Sequence, residues 1–118
     1  SETNAPLRYL TWTLTLLVDH NFFLLWKLKE ELSEEEKKTI SADIKKNLEA
    51  LVGVVPGLVS LEIGRNPLPS SNADVMLDSL LEDEAALKGY QTHPEHIKAA
   101  DTYVRPYTEV RMCLDYEK

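Results

Sequence analysis

The segment Tyr90-Gln91-Thr92-His93-Pro94-Glu95-His96 sets a phenol and two imidazoles close together around a proline. An imidazole titrates near neutral pH, so it can take a proton from a substrate or accept a hydrogen bond. A phenol placed beside it can donate to an oxygen that gains negative charge. The chemistry such a pair could do is proton abstraction next to a carbonyl, with His96 as base and Tyr90 as oxyanion donor, and it needs no cofactor. Proline also dictates the local fold. The residue before it is pushed out of the α region, so a helix arriving from about Asp83 should stop near Thr92, and Pro94 suits the first position of a new one. His93 then caps that helix. His96 falls in its first turn, where free backbone N–H groups and the positive dipole end disfavour imidazolium. Tyr90 follows Leu87 by three residues and Ala86 by four, which places it on an apolar stripe facing inward.

Other chemistries find less support. His93, His96 and Asp101 could be read as metal ligands, but the proline lies between the imidazoles and the single cysteine, Cys113, is distant, so no established ligand spacing is met and no metal is expected. One cysteine cannot close an intrachain disulfide, and Cys113 has no activating neighbour in sequence, which fits a cytoplasmic protein with an unreactive thiol. The chain carries 20 acidic against 13 basic residues, a net charge of −7, without a clustered basic stripe. That balance argues against nucleic acid and against an anionic membrane surface. Leu7 to Trp26 is rich in apolar residues, yet Asp19-His20-Asn21 interrupts it too early for a membrane span.

The elements that must position the pair follow from periodicity. Within 118 residues one domain is expected. Residues 1–5, which begin without methionine, read as a processed or added end, and residues 6–21 as an N-terminal extension in which Leu10, Trp12, Leu14 and Leu16 alternate with threonines as a strand. Asp19-His20-Asn21 could turn that strand back onto a second, Asn21 to Lys29, with Phe22, Leu24 and Trp26 on one face and Phe23, Leu25 and Lys27 on the other. Ser33 and Glu36 form a capping box for a helix whose stripe is Ile40, Ile44, Leu48 and Leu51, ended by Gly53. Strands are expected from Leu58 to Arg65, with Val59, Leu61 and Ile63 on one face, and from Ala73 to Leu81, with Val75, Leu77 and Ser79 on one face. A helix from Glu82 or Asp83, a second from Pro94 to about Thr102 and a last strand from Tyr107 to Tyr116 complete the order. In that strand Val110, Met112 and Leu114 alternate with Glu109, Arg111 and Cys113.

Two β-α-β units in series predict an α+β, ferredoxin-like split β-α-β subunit, an antiparallel four-stranded sheet with helices on one face. Apolar residues on both sides of the sheet call for a cover on the second side. A second copy of the same face is the simplest, giving a homodimer with a shared barrel core.

Trp26-Lys27-Leu28-Lys29, Val55-Pro56-Gly57-Leu58-Val59-Ser60-Leu61-Glu62-Ile63-Gly64-Arg65-Asn66, the Tyr90 to His96 block and Cys113-Leu114-Asp115-Tyr116 together resemble the stress-responsive dimeric α/β-barrel (Dabb) family, so that residues 22–118 read as one such domain. The resemblance implies a ferredoxin-like subunit that pairs into a barrel. A plant member is a polyketide cyclase acting by aldol condensation, and its essential tyrosine and histidine fall on Tyr90 and His96. Phe22 stands where many relatives carry a first-strand histidine, and His20 lies two places earlier.

Two functional readings follow. In one, Phe22, Leu24, Trp26 and Ile97, with Tyr90 and His96, line an apolar pocket for a small organic ligand, with cofactor-free acid/base chemistry. In the other, a non-enzymatic structural or stress-protective dimer, side chains fill that space and His96 only ties a helix to the sheet. Monooxygenases that share the dimeric fold form a third class, which no residue here favours. Cavity volume beside His96 separates the first two, because ligand pockets run to about 300–1,000 Å³ while a structural joint is close-packed.

Overall fold

The computed structural model describes residues 19–117. The strand expected over Leu10 to Leu17, with the rest of residues 1–18, lies outside the described residues. The part of the 6–21 extension that is described corrects the expected turn: His20 and Asn21 already belong to the first strand, β1, His20–Leu28.

After β1 come α1 (Glu34–Glu49), β2 (Leu58–Gly64), β3 (Val75–Leu81), α2 (Glu84–Thr92), α3 (Pro94–Ala99) and β4 (Thr108–Glu117). The strands form one antiparallel sheet in the order β2-β3-β1-β4. This is the ferredoxin-like α+β arrangement, and β1 lies at its centre because it pairs with both β3 and β4.

Each element starts where its residues dictate. The Ser33 hydroxyl accepts from the Glu36 N–H at 3.1 Å while the Glu36 carboxylate accepts from the Ser33 N–H at 2.8 Å, which closes the capping box at the start of α1. Asp83 caps α2 by accepting from the Ala86 N–H at 2.7 Å. Alternation in β1 and β3 buries Phe22, Leu24, Trp26 and Leu28 with Val75, Leu77, Ser79 and Leu81 against Ile44 and Leu48 of α1 and Leu87 and Tyr90 of α2. The strand β2 departs from simple alternation. Its pairing with β3 shifts register between Leu58 and Ser60, so Leu58, Leu61 and Ile63 are buried and Val59, expected on the core face, is 50% exposed. A bulge of this kind turns one residue out of phase.

The outer edge of β2 is closed by α1. Glu49 accepts from the Ile63 N–H at 2.9 Å, and the Lys45 ammonium donates to the Ile63 carbonyl at 3.2 Å and to Glu49 at 2.8 Å. Side chains thus occupy backbone groups that would otherwise be free to pair with a foreign strand.

The other sheet face carries Phe23 and Leu25, half-buried, beside Met76, Leu80, Val110, Met112 and Leu114, as the registers of β1 with β3 and β4 require. On β4 the apolar side chains lie open: Met112 is 65% and Leu114 59% exposed.

One turn carries a sharp steric demand. Gly57, just before β2, has φ +82°, and a Cβ there would stand 2.5 Å from the Ala86 Cβ of α2. Gly53 has φ +91° but open space around it. Gly57→Ala should therefore lose more stability than Gly53→Ala. Each carries about 1–3 kcal/mol of backbone strain, and only Gly57 adds a collision; urea midpoints of the two variants check the order.

Candidate functional site

Pro94 divides the helical segment as its chemistry requires. His93 is extended, with φ −64° and ψ 132°, and its Nδ1 accepts from the Glu95 N–H at 3.1 Å, capping α3. The break lets α3 turn back over α2, so that the His96 ring stacks on Tyr90 with centroids 4.2 Å apart and planes tilted by 36°. On its other side Tyr90 meets Phe22 of β1 edge-on, centroids 6.0 Å apart. Three rings thus connect the sheet to the helix joint.

Tyr90 is 0% exposed, and its hydroxyl has no hydrogen-bond partner among the described residues. Burial pushes its phenol well above the ordinary value, so it stays protonated and remains a donor. His96 is half-buried, and its pKa is held below the ordinary 6.5, first by burial and then by the guanidinium groups of Arg105 and Arg111 and the His93 ring, against an opposing contribution from Gln91. The cause differs from the helix dipole expected at a first-turn histidine: desolvation is the larger effect. Its Nδ1 lies 3.3 Å from the Gln91 carbonyl. A carbonyl can only accept, so Nδ1 carries the proton and Nε2 keeps its lone pair.

The polypeptide after α3 widens. Ala100–Val104 forms a π-helical turn, with the Arg105 N–H donating to the Ala100 carbonyl, followed by a short 3-10 turn, Arg105–Tyr107. The helix expected to run unbroken to Thr102 therefore changes form at Ala100, and such turns often border functional sites. Between this segment and the core side of β1 and β4 lies a cavity of about 270 Å³, lined by Phe22, Leu24 and Trp26 of β1, Gln91, His96, Ala100 and Val104 of the helical segments, and Arg105, Thr108 and Arg111.

The structure brings together His96, Phe22, Leu24 and Trp26 as expected from the sequence. Tyr90 stands behind Phe22 and His96 rather than on the cavity wall. Ile97 is a correction: one residue past His96 on a helix turns the side chain about 100° away, and it is 39% exposed, outside the cavity. Asp101 pairs with Arg105 and not with an imidazole. The sequence reading missed Arg105 and Arg111. Arg111 was legible, since alternation puts it on the same face as Cys113, and the antiparallel register then sets it opposite Trp26; Arg105 depends on the π turn, which no periodicity announces.

A sheet of this order, with a cavity between it and helices packed on one face, defines a ferredoxin-like α+β protein. The chain belongs to the stress responsive A/B barrel domain family, whose profile matches residues 23–118. Among solved structures it is similar to a dimeric protein of ferredoxin-like fold from Bacteroides fragilis, at 30% identity and TM-score 0.80 over 85% of this chain and 96% of that one. It is also similar to a Dabb family protein from Mesorhizobium loti, at 23% identity and TM-score 0.65 over 84% and 95% of the two chains. A hydroxynitrile lyase from Passiflora edulis shares the fold at 17% identity and TM-score 0.65 over 85% and 93%. No protein of curated function matches the sequence. Among the described residues no helix is long and apolar enough to cross a membrane.

The lowered His96 pKa sets a pH dependence. The unfolded chain binds this proton more readily than the folded one, so the stability tied to neutral His96 is fully present above pH 6.5 and is lost as pH falls through the folded value. His96→Gln should flatten the acid side of the stability profile, measured by urea denaturation at a series of pH values below neutrality; an unchanged slope would show that His96 is not the group responsible. Tyr90→Phe removes an unpartnered buried hydroxyl, so it should raise stability by about 1 kcal/mol rather than lower it, which the same assay reads at neutral pH.

Proposed function

We propose that this protein is a homodimer that binds a small, largely apolar organic molecule beside His96 and carries out cofactor-free acid/base chemistry on it, in the manner of a polyketide cyclase. The observation that carries this reading is the His96 ring, its Nδ1 set against the Gln91 carbonyl, bordering a cavity of about 270 Å³ that side chains do not fill; burial favours the neutral form of that ring. That volume lies at the small end of ligand pockets and well above the voids of a close-packed joint. In this scheme His96 Nε2 takes a proton from a carbon next to a carbonyl. The electron pair moves to the carbonyl oxygen; the Tyr90 O–H, which lies behind the lining, would donate a hydrogen bond to it only if the ring turned towards the cavity. The phenol's raised pKa suits it to donate without losing its proton. A fold shared with a protein named hydroxynitrile lyase is consistent with small-molecule chemistry on this scaffold. A cytoplasmic setting, where Cys113 stays a thiol, accompanies this reading.

The dimer rests on the open sheet face. Val110, Met112 and Leu114 lie exposed on β4 beside Phe23 and Leu25, and the B. fragilis relative is dimeric. A second copy of the same face would bury these side chains about a two-fold axis.

Two experiments test the proposal. Presented with a linear poly-β-carbonyl compound, the protein should accelerate ring closure. Tyr90→Phe should reduce turnover by about 10²–10³, the scale of a lost oxyanion donor, while the protein remains folded. His96→Ala should abolish it. If His96→Ala instead unfolds the protein and no substrate binds, the imidazole serves the fold alone. Separately, Met112→Glu with Leu114→Glu should convert a dimer into monomers by sedimentation velocity; a chain monomeric before substitution, or a dimer untouched by it, would refute this interface.

A further inference from the structure

The cavity beside His96 is apolar on its β1 wall and cationic on the other. Trp26, Leu24 and Phe22 supply the flat apolar side, while Arg105 and Arg111 both lie on the lining, and among the described residues no carboxylate does. Arg105 is held by Asp101, one helical turn away and outside the lining, which offsets part of its charge and leaves other guanidinium N–H groups free. Among the described residues Arg111 has no carboxylate partner. It projects on the core face of β4 opposite Trp26; Glu109, which precedes it, falls at the register shift of β4 against β1 and acts on Lys27, and Asp115 stands beyond Cys113 opposite Phe22, where the Cys113 thiol donates to it at 3.4 Å. Strand geometry sets Arg111 and Asp115 roughly 13 Å apart along the backbone, too far for them to neutralise each other. In a chain of net charge −7, two cations converging on one small cavity run against the overall composition.

We infer that the molecule bound in this cavity is a small carboxylate with an apolar or aromatic body, Arg111 pairing with its carboxylate and Trp26, Leu24 and Phe22 holding the body. This deepens the reading above and rests on it, since it assigns the substrate class to the same cavity. A planar guanidinium can offer a carboxylate two parallel N–H donors, which fixes orientation as well as affinity. The carboxylate held at Arg111 on β4 would leave the apolar body running along β1 towards the helix joint, with its carbon atoms presented to His96. The same two guanidiniums also disfavour a proton on the His96 ring, adding to the larger effect of burial.

The test uses 3-phenylpropanoate and its neutral amide, which differ only in charge. In a Trp12→Phe chain, Trp26 is the only tryptophan left and its fluorescence reports on the cavity; calorimetry on the unsubstituted chain makes the same comparison without that change. The carboxylate should bind at least about tenfold more tightly than the amide, and its affinity should fall as salt is raised. Arg111→Gln, at an exposed position on an edge strand, should bring the carboxylate down to the affinity of the amide while leaving the amide within about twofold. Equal binding of the two probes, or an equal loss of both in Arg111→Gln, would overturn the carboxylate assignment and leave the cavity reading standing. Binding of neither probe would overturn both.

Discussion

A single proline decides how this molecule is put together at its site. Because Pro94 cannot follow a helical residue without a clash, α2 has to end and α3 has to start at a new angle, with His93 extended between them. If α2 continued straight, the six-residue step from Tyr90 to His96 would put their side chains on different helix faces. The break instead stacks the two rings at 4.2 Å and fixes both to Phe22 at the centre of the sheet. Burial at that stack raises the phenol's pKa and lowers the imidazole's.

The two faces of the sheet have different tasks, and the strand order explains why. The central strand β1 is covered on its helix face by Tyr90, Leu87, Ile44 and Leu48, so this side is finished within one chain. The β2 edge is also finished, by the Lys45 and Glu49 clamp on Ile63. The unfinished part lies at the opposite edge, where among the described residues β4 pairs with β1 alone and its side chains are exposed. One face of β4 carries Val110, Met112 and Leu114, exposed as the proposed dimer would need, and the other carries Arg111 on the cavity lining. The same strand would therefore serve assembly and ligand recognition through alternate residues, a direct use of the period of two.

Much of this was legible in the sequence, for reasons that can be named. Capping chemistry is local, so Ser33, His93 and Pro94 marked helix starts that the structure bears out, and the helix expected from Glu82 or Asp83 begins at Glu84 with Asp83 as its cap. Alternation in β1 and β3 fixed the core face, because a half-buried strand has no other way to arrange its side chains. The β2 bulge was hidden: Leu58-Val59-Ser60-Leu61 reads equally well in phase, and only pairing with β3 turns Val59 outward. The cavity wall was half legible. Phe22, Leu24 and Trp26 follow from one strand and one period, whereas Arg105 depends on a π-helical turn whose extra residue per turn leaves no trace in composition, and Ile97 was placed inward where the short α3 turns it out.

The protonation of one ring decides whether this site holds a base, and nitrogen NMR of the His96 imidazole reads it directly in the whole protein. A neutral ring at pH 6.5, protonated at Nδ1 against the Gln91 carbonyl and bare at Nε2, is the expected result. An imidazolium at that pH, or a proton resident on Nε2, would remove the base from the site and contradict the account.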